Sequence, residues 1–197
     1  MSHICKYSQQ LFKNQNKTGK KEFGILTDVQ DFRIMATALV RCDKEFLVAF
    51  GTSSGQLILE RLDIKAKQLT QVDVKQHQAA MLSMKRIQLD GMSPMIACGF
   101  TDGSVLLYSI DKINDSYTAT LLDAQKDVHG FGVNCIDTVI LDEHRFLIAS
   151  GGDDQNISLM LMEKKGTKVG KIGHCTKYAH SSSVKGLVMF VSEEGSQ

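Results

Sequence analysis

Phe146-LIASGGDDQNISLMLM, ending at Met162, carries the pattern that decides the fold. A five-residue apolar run ends on a small residue and glycine, a short polar turn follows, and a second run rich in Leu, Ile and Met begins. The same pattern occurs twice more, as Phe46-LVAFGTSSGQLILERL and Met95-IACGFTDGSVLLYSI. The glycines that end the first runs, Gly51, Gly99 and Gly151, lie 48 and 52 residues apart. A second marker keeps the same phase: His77, His129 and His180 are spaced by 52 and 51 residues. His77 precedes Gly99 by 22 residues and His129 precedes Gly151 by the same 22, so the chain is an array of units of about 50 residues.

The runs are short, β-branched or aromatic, and bounded by Gly, Ser and Asp, which predicts strands. Thr52-Ser53-Ser54-Gly55 and Thr101-Asp102-Gly103 supply side-chain caps and a residue free to take positive φ. Weaker strands are expected at Met81 to Leu89, Thr118 to Leu122, Val133 to Leu141 and Val184 to Phe190. Each unit thus holds four strands, and the expected architecture is all-β: about three four-stranded propeller blades plus the start of a fourth. Blades bury both sheet faces, which accounts for the unbroken apolar run Val105-Leu-Leu-Tyr108. The single proline, Pro94, stands where a strand is about to begin and a missing N–H is tolerated. Propellers close with about four to eight blades, so the ring is expected to be incomplete and the chain a fragment, or a truncated product, of a longer one. The expected division is a lead-in at 1–30 (partly disordered, or a strand of a preceding blade), blades at 31–190 and a disordered tail at 191–197.

Composition narrows the function classes. Charged residues make up 23% and hydrophobic residues 43% of the chain, the balance of a folded globular protein. Basic and acidic residues number 23 and 22, so the overall charge demands no nucleic-acid partner. No apolar run reaches the roughly 18 residues of a membrane span, and no membrane role is expected. The five cysteines are scattered and never in CxxC, which fits reduced thiols in the cytoplasm or nucleus, the cytoplasm being the expectation taken forward.

These residues resemble the WD40 repeat. That family places a His in the loop entering a blade, a small residue and Gly at the end of the second strand, an Asp in the next turn and Trp-Asp after the third. The matching positions here are His77, His129 and His180, then Cys98-Gly99 and Ser150-Gly151, then Asp102 and Asp154. The Trp position holds Tyr108 in one unit and Met160 in another, and the chain has no Trp. The resemblance implies that His129, Ser150 and Asp154 form the most complete copy of the family's buried hydrogen-bond chain. The first unit departs furthest, with Ser54 for Asp and Glu60 for Trp.

A narrower resemblance covers the last third and the second unit. His129-GFGVNCIDTVIL, the stretch from Phe146 and Tyr178-AHSSSVKGL, with Lys75-QHQAAMLSMKRI and ACGFTDGSVLLYSID before them, are similar to the C-terminal propeller of WD-repeat protein 6 and its fungal counterparts. That resemblance implies a non-catalytic partner of a tRNA ribose 2′-O-methyltransferase, positioning tRNA so that the wobble nucleotide of the anticodon loop is methylated. The alternative is a general protein–protein adaptor with no RNA role.

Each site candidate has a structural counterpart. Histidines that recur once per unit are expected to be buried loop residues bonded to a Ser or Asp, because catalytic groups do not repeat with the fold. His129, Ser150 and Asp154 match a hydrolase triad by residue type, yet the Ser falls within a strand and not on an exposed elbow. His174-Cys175 with His180 lacks a fourth ligand at zinc spacing, and Asp153-Asp154 lacks the further carboxylates of a calcium loop. The glycines of His129-Gly-Phe-Gly132 and Gly166-TKVGKIG match no phosphate-binding fingerprint. No catalytic residue, metal, cofactor or small-molecule substrate is therefore expected. Two basic clusters have the chemistry to meet RNA phosphates, the structural alternative being solubility on mobile loops: Lys13, Lys17, Lys20 and Lys21, and Lys164, Lys165, Lys168 and Lys171 in the third unit's c–d loop. Phe131 and Tyr178 are candidate stacking aromatics.

Overall fold

The structure, a computed structural model, describes residues 33–191. The lead-in at 1–30, with Lys13, Lys17, Lys20 and Lys21, and the tail from residue 192 lie outside the described residues. Among the described residues, twelve strands form three four-stranded antiparallel sheets in chain order. The first blade holds β1 (Ile34–Cys42), β2 (Glu45–Thr52), β3 (Gln56–Asp63) and β4 (Gln68–Gln76). The second holds β5 (Met81–Ile87), β6 (Met95–Phe100), β7 (Val105–Ile113) and β8 (Ser116–Gln125). The third holds β9 (Val133–Ile140), β10 (Arg145–Gly152), β11 (Asn156–Lys165) and β12 (Lys168–Tyr178).

Burial shows how the blades stack. All six residues of β6 are buried, as are the first six of β7, because the second blade is covered on both faces. Alternate side chains of this blade divide between two cores. Ile96, Cys98, Phe100, Leu106, Tyr108 and Ile110 join Val40, Leu47, Ala49, Leu57 and Leu59 of the first blade. Met95, Ala97, Val105 and Leu107 join Phe146, Ile148, Met160, Met162 and Val169 of the third. The outer blades alternate instead, with β3 and β11 burying every second residue, because among the described residues each meets a neighbouring blade on one face.

The repeated glycine sets blade-to-blade contact. A Cβ added at Gly99 would meet Val133 Cγ1 and Ser83 Oγ, both at 2.6 Å. Gly51 and Gly151 stand equally close to Met81 and Val184, so each glycine receives the first side chain of the following blade. The blades are also tied across their ends. His77, His129 and His180 donate their backbone N–H to the carbonyls of Gly55, Gly103 and Gln155, at 2.9, 3.1 and 3.3 Å. Gly55 and Gly103 hold φ of 83° and 80°, where a side chain would be strained and would strike the His77 and His129 carbonyls. Gln155 adopts φ 69° at the third such turn.

Two expectations are corrected. Residues 184–191 form no strand: the segment lies against the third blade, but no strand pairs with it among the described residues. Lys164, Lys165, Lys168 and Lys171 do not sit on a c–d loop, because the hairpin is closed by Gly166 and Thr167 alone and the lysines lie on β11 and β12. The Gly166 φ of 64° permits so short a turn.

Gly99→Ala is expected to lower stability by about 1–3 kcal/mol through overpacking of the second–third blade junction. Gly170→Ala, with nothing within 4 Å of the added Cβ, is expected to stay within about 0.5 kcal/mol of the parent. Urea unfolding of the two variants checks this.

Candidate functional site

The residues singled out by the repeat gather where the histidine loops meet the β2–β3, β6–β7 and β10–β11 turns. At the second–third blade junction, His129 Nδ1 lies 2.9 Å from Asp154 Oδ1, and His129 Nε2 lies 2.9 Å from Ser150 Oγ. Asp154 Oδ2 accepts the Gly130 N–H at 2.9 Å, and its Oδ1 accepts the Asn156 N–H at 3.1 Å. Burial alone would raise the Asp154 carboxyl. The bonds from Gly130, His129 and Asn156 outweigh it and hold the group at about 2. Ser150 and the His129 ring are fully enclosed, so this serine presents no nucleophile to a substrate, and the three residues hold the loop against the blade.

At the preceding junction the same parts are connected differently. Cys98 occupies the place of Ser150, and its thiol is pushed far up by burial. His77 therefore has no strand serine to bond; it turns Nε2 to Asp102 Oδ2 at 3.1 Å and packs at a tilt of 52° against Phe100, with ring centroids 4.2 Å apart. Ser104 takes up the other Asp102 oxygen, with its hydroxyl at 2.6 Å and its N–H at 3.1 Å. Burial would raise Asp102, but these bonds and His77 lower it below the usual carboxylate range. The third histidine, His180, is exposed and its ring meets no partner among the described residues. Tyr108, at the tryptophan position, is buried between the first two blades, and burial with the nearby Cys98 pushes its hydroxyl up to about 12.

The structure adds residues that sequence reasoning missed. Ser158 is fully buried and bonds His174 Nε2 at 2.7 Å, so a second Ser–His pair lies across the blade, Ser158 being the strand partner of Ser150. The signal was a lone serine in register with the buried Met160 and Met162. Between the first two blades, Glu45 accepts the Tyr117 hydroxyl at 2.7 Å and pairs with Lys112 at 3.2 Å. Asp73 accepts Thr118 Oγ1 and the Ala119 N–H at 2.9 and 2.7 Å. Between the second and third, Lys85 reaches the enclosed Asp137 at 2.6 Å.

The four described lysines do not form one patch. Register pairs Lys165 with Lys168 on one side of the hairpin and places Lys164 beside Val169 and Lys171 beside Met162 on the other. Lys165 is further occupied by Glu163 at 2.8 Å. Phe131 is two-thirds exposed on the His129 loop, and Tyr178 is equally open with its hydroxyl 2.7 Å from Gln155. Among the described residues no group of three or more His, Cys, Asp or Glu is placed to hold a metal ion.

Asp154→Ala strands the enclosed His129 and is expected to cost about 1–3 kcal/mol, against less for Asp102→Ala at its more open site. The sign of the pH effect follows from the lowered Asp154 carboxyl. Its contribution is complete above the ordinary value of 3.8 and is lost as pH falls toward 2. Denaturant midpoints of parent and Asp154→Asn should therefore converge between about pH 4 and pH 2.

No protein-family model matches the chain, and no curated protein matches it. Solved structures do. A chain in the crystal structure of the mitotic checkpoint complex superposes with a TM-score of 0.52 at 16% identity, over 81% of this chain and 41% of that one. A humanized mutant of the Chaetomium thermophilum Polycomb Repressive Complex 2 gives 0.50 at 16% identity, over 66% and 28%. Sqt1 from Chaetomium thermophilum gives 0.51 at 16% identity, over 66% and 30%. This chain spans 41%, 28% and 30% of their lengths, and what they share with it is architecture: four-stranded blades of a WD40-type β-propeller, three of them among the described residues here.

Proposed function

We propose that this chain is a non-catalytic WD40 scaffold that presents loops from a rigid stack of blades to partner macromolecules. The observation that carries the reading is the use of its chemistry-bearing residues. His129, Ser150 and Asp154 are enclosed and spent on one another, and His77 and Asp102 repeat the arrangement one blade earlier. What remains outward is loops and blade edges, the parts with which such a body holds partners.

The finer reading is that the partners are a tRNA ribose 2′-O-methyltransferase and its tRNA in the cytoplasm. It is supported by the similarity of His129-GFGVNCIDTVIL and Tyr178-AHSSSVKGL to the propeller of WD-repeat protein 6. In this mechanism the methyltransferase brings catalytic residues and methyl donor, while the scaffold fixes the geometry between enzyme and anticodon loop. Lys164 and Lys171, which share one side of the β11–β12 hairpin, are the pair assigned to phosphate contact in this reading. A second reading, an adaptor for proteins alone, is favoured by the split of the lysine cluster and by the exposed Phe131.

The test is binding of the whole chain to tRNA across a salt series. The tRNA reading predicts binding that weakens steeply with salt, and a slope reduced by about 1–2 in Lys164→Glu/Lys171→Glu, from roughly 0.9 per phosphate contact. Salt-insensitive or absent tRNA binding, with unchanged capture of protein partners, contradicts it and leaves the adaptor.

A further inference from the structure

The β11–β12 hairpin carries the sequence Glu163-Lys-Lys-Gly-Thr-Lys-Val-Gly-Lys171, and its tip takes no part in either blade core. Val169 is the last buried side chain before the turn, and the Lys164 N–H donates to the His144 carbonyl at 2.8 Å. Beyond these ties Lys165, Gly166, Thr167 and Lys168 are all exposed. A Cβ added at Gly166 or Gly170 would meet nothing within 4 Å, so open space lies beside the turn. Thr167 is the second of the two turn residues, and its hydroxyl has no hydrogen-bond partner among the described residues. It is also the one Ser or Thr in the sequence with lysine at both the third and the second position before it, Lys164 and Lys165. The β7–β8 hairpin has a turn of the same length, yet Ser116 follows Ile113 and Asn114 and lacks that flank.

We infer that Thr167 is a phosphorylation site for a protein kinase that selects basic residues ahead of its target. Such a kinase sets carboxylates against the substrate positions that Lys164 and Lys165 fill, and charge complementarity chooses the site. Lys165 leaves its ion pair with Glu163 at little cost, because the lysine side chain is 77% exposed. A kinase holds its target segment extended, and here that requires only the last rung, Lys165 with Lys168, to open. No buried side chain moves. In the transfer, Thr167 Oγ1 attacks the γ-phosphorus of magnesium-bound ATP and forms the new O–P bond. The bond to the β–γ bridging oxygen breaks, ADP leaves, and the hydroxyl proton passes to the kinase's base. The product changes the character of the hairpin. Residues 163–171 hold four lysines and one glutamate, a net charge of +3. A phosphate of about −2 lowers that to about +1 and gives the lysines an internal partner. The site goes beyond the scaffold reading and stands whether the partners are RNA or protein.

The probe is the catalytic subunit of cyclic-AMP-dependent protein kinase, supplied with ATP and magnesium and incubated with the whole folded chain. Phosphopeptides are mapped by mass spectrometry over a time course. The expected result is phosphate on Thr167, at a rate that falls ten-fold or more in Lys164→Gln/Lys165→Gln. Thr167→Val is expected to carry no phosphate on the hairpin. The altered residues lie at or beside an exposed turn, so folding is kept. Phosphate confined to other Ser or Thr residues overturns the inference, as does an unchanged rate in the glutamine variant. So does a folded chain that stays unmodified at Thr167 while a synthetic peptide of residues 161–171 is phosphorylated, because the fold then withholds the site.

Discussion

Everything in this molecule hangs on a contact between a missing side chain and a present one. Where strand β6 ends, Gly99 leaves room that Val133, the first residue of the next blade, occupies at 2.6 Å from where a Cβ would be. Met81 against Gly51 and Val184 against Gly151 repeat it. Because the contact joins the end of one blade's second strand to the start of the next blade's first, it fixes blade spacing once per repeat. The two apolar cores then fall to either side of the second blade. Such a stack is quasi-one-dimensional: each blade is stabilised by its neighbours, and the middle one has two.

The polar residues work within that spacing. His129, Ser150 and Asp154 close the second–third junction with every ring nitrogen engaged. One blade earlier, Cys98 replaces the serine, and His77 turns a different nitrogen to Asp102 and rests on Phe100. The substitution of one strand residue is thus absorbed by rotation of a loop histidine, without disturbing the backbone bond from His77 N–H to Gly55. Glu45 with Tyr117, Asp73 with Thr118 and Lys85 with Asp137 add ties between neighbouring blades.

The parts of this fold that were legible in the sequence are those that obey the repeat. The three glycine-ended runs became β2, β6 and β10, and the histidine spacing became the three end-to-end ties. The outer strands were less visible. β4 and β12 are largely solvent-facing, so Gln68–Gln76 and Lys168–Tyr178 carry no apolar period, and the lysines of β12 read as loop residues. The Ser158–His174 pair is not legible in the sequence, because its members lie 16 residues apart and meet only when β11 and β12 pair. His180 follows the spacing and its N–H makes the backbone tie, yet its ring is exposed, so repeat phase alone does not fix the role of the side chain.

The most direct test of the stacked-blade account is residue-resolved hydrogen exchange on the folded chain. The account predicts the slowest exchange at Met95–Phe100 and in the buried first part of β7, with protection falling outward through the first and third blades. Equal protection in all three blades, or the slowest amides in β1 or β12, would contradict it.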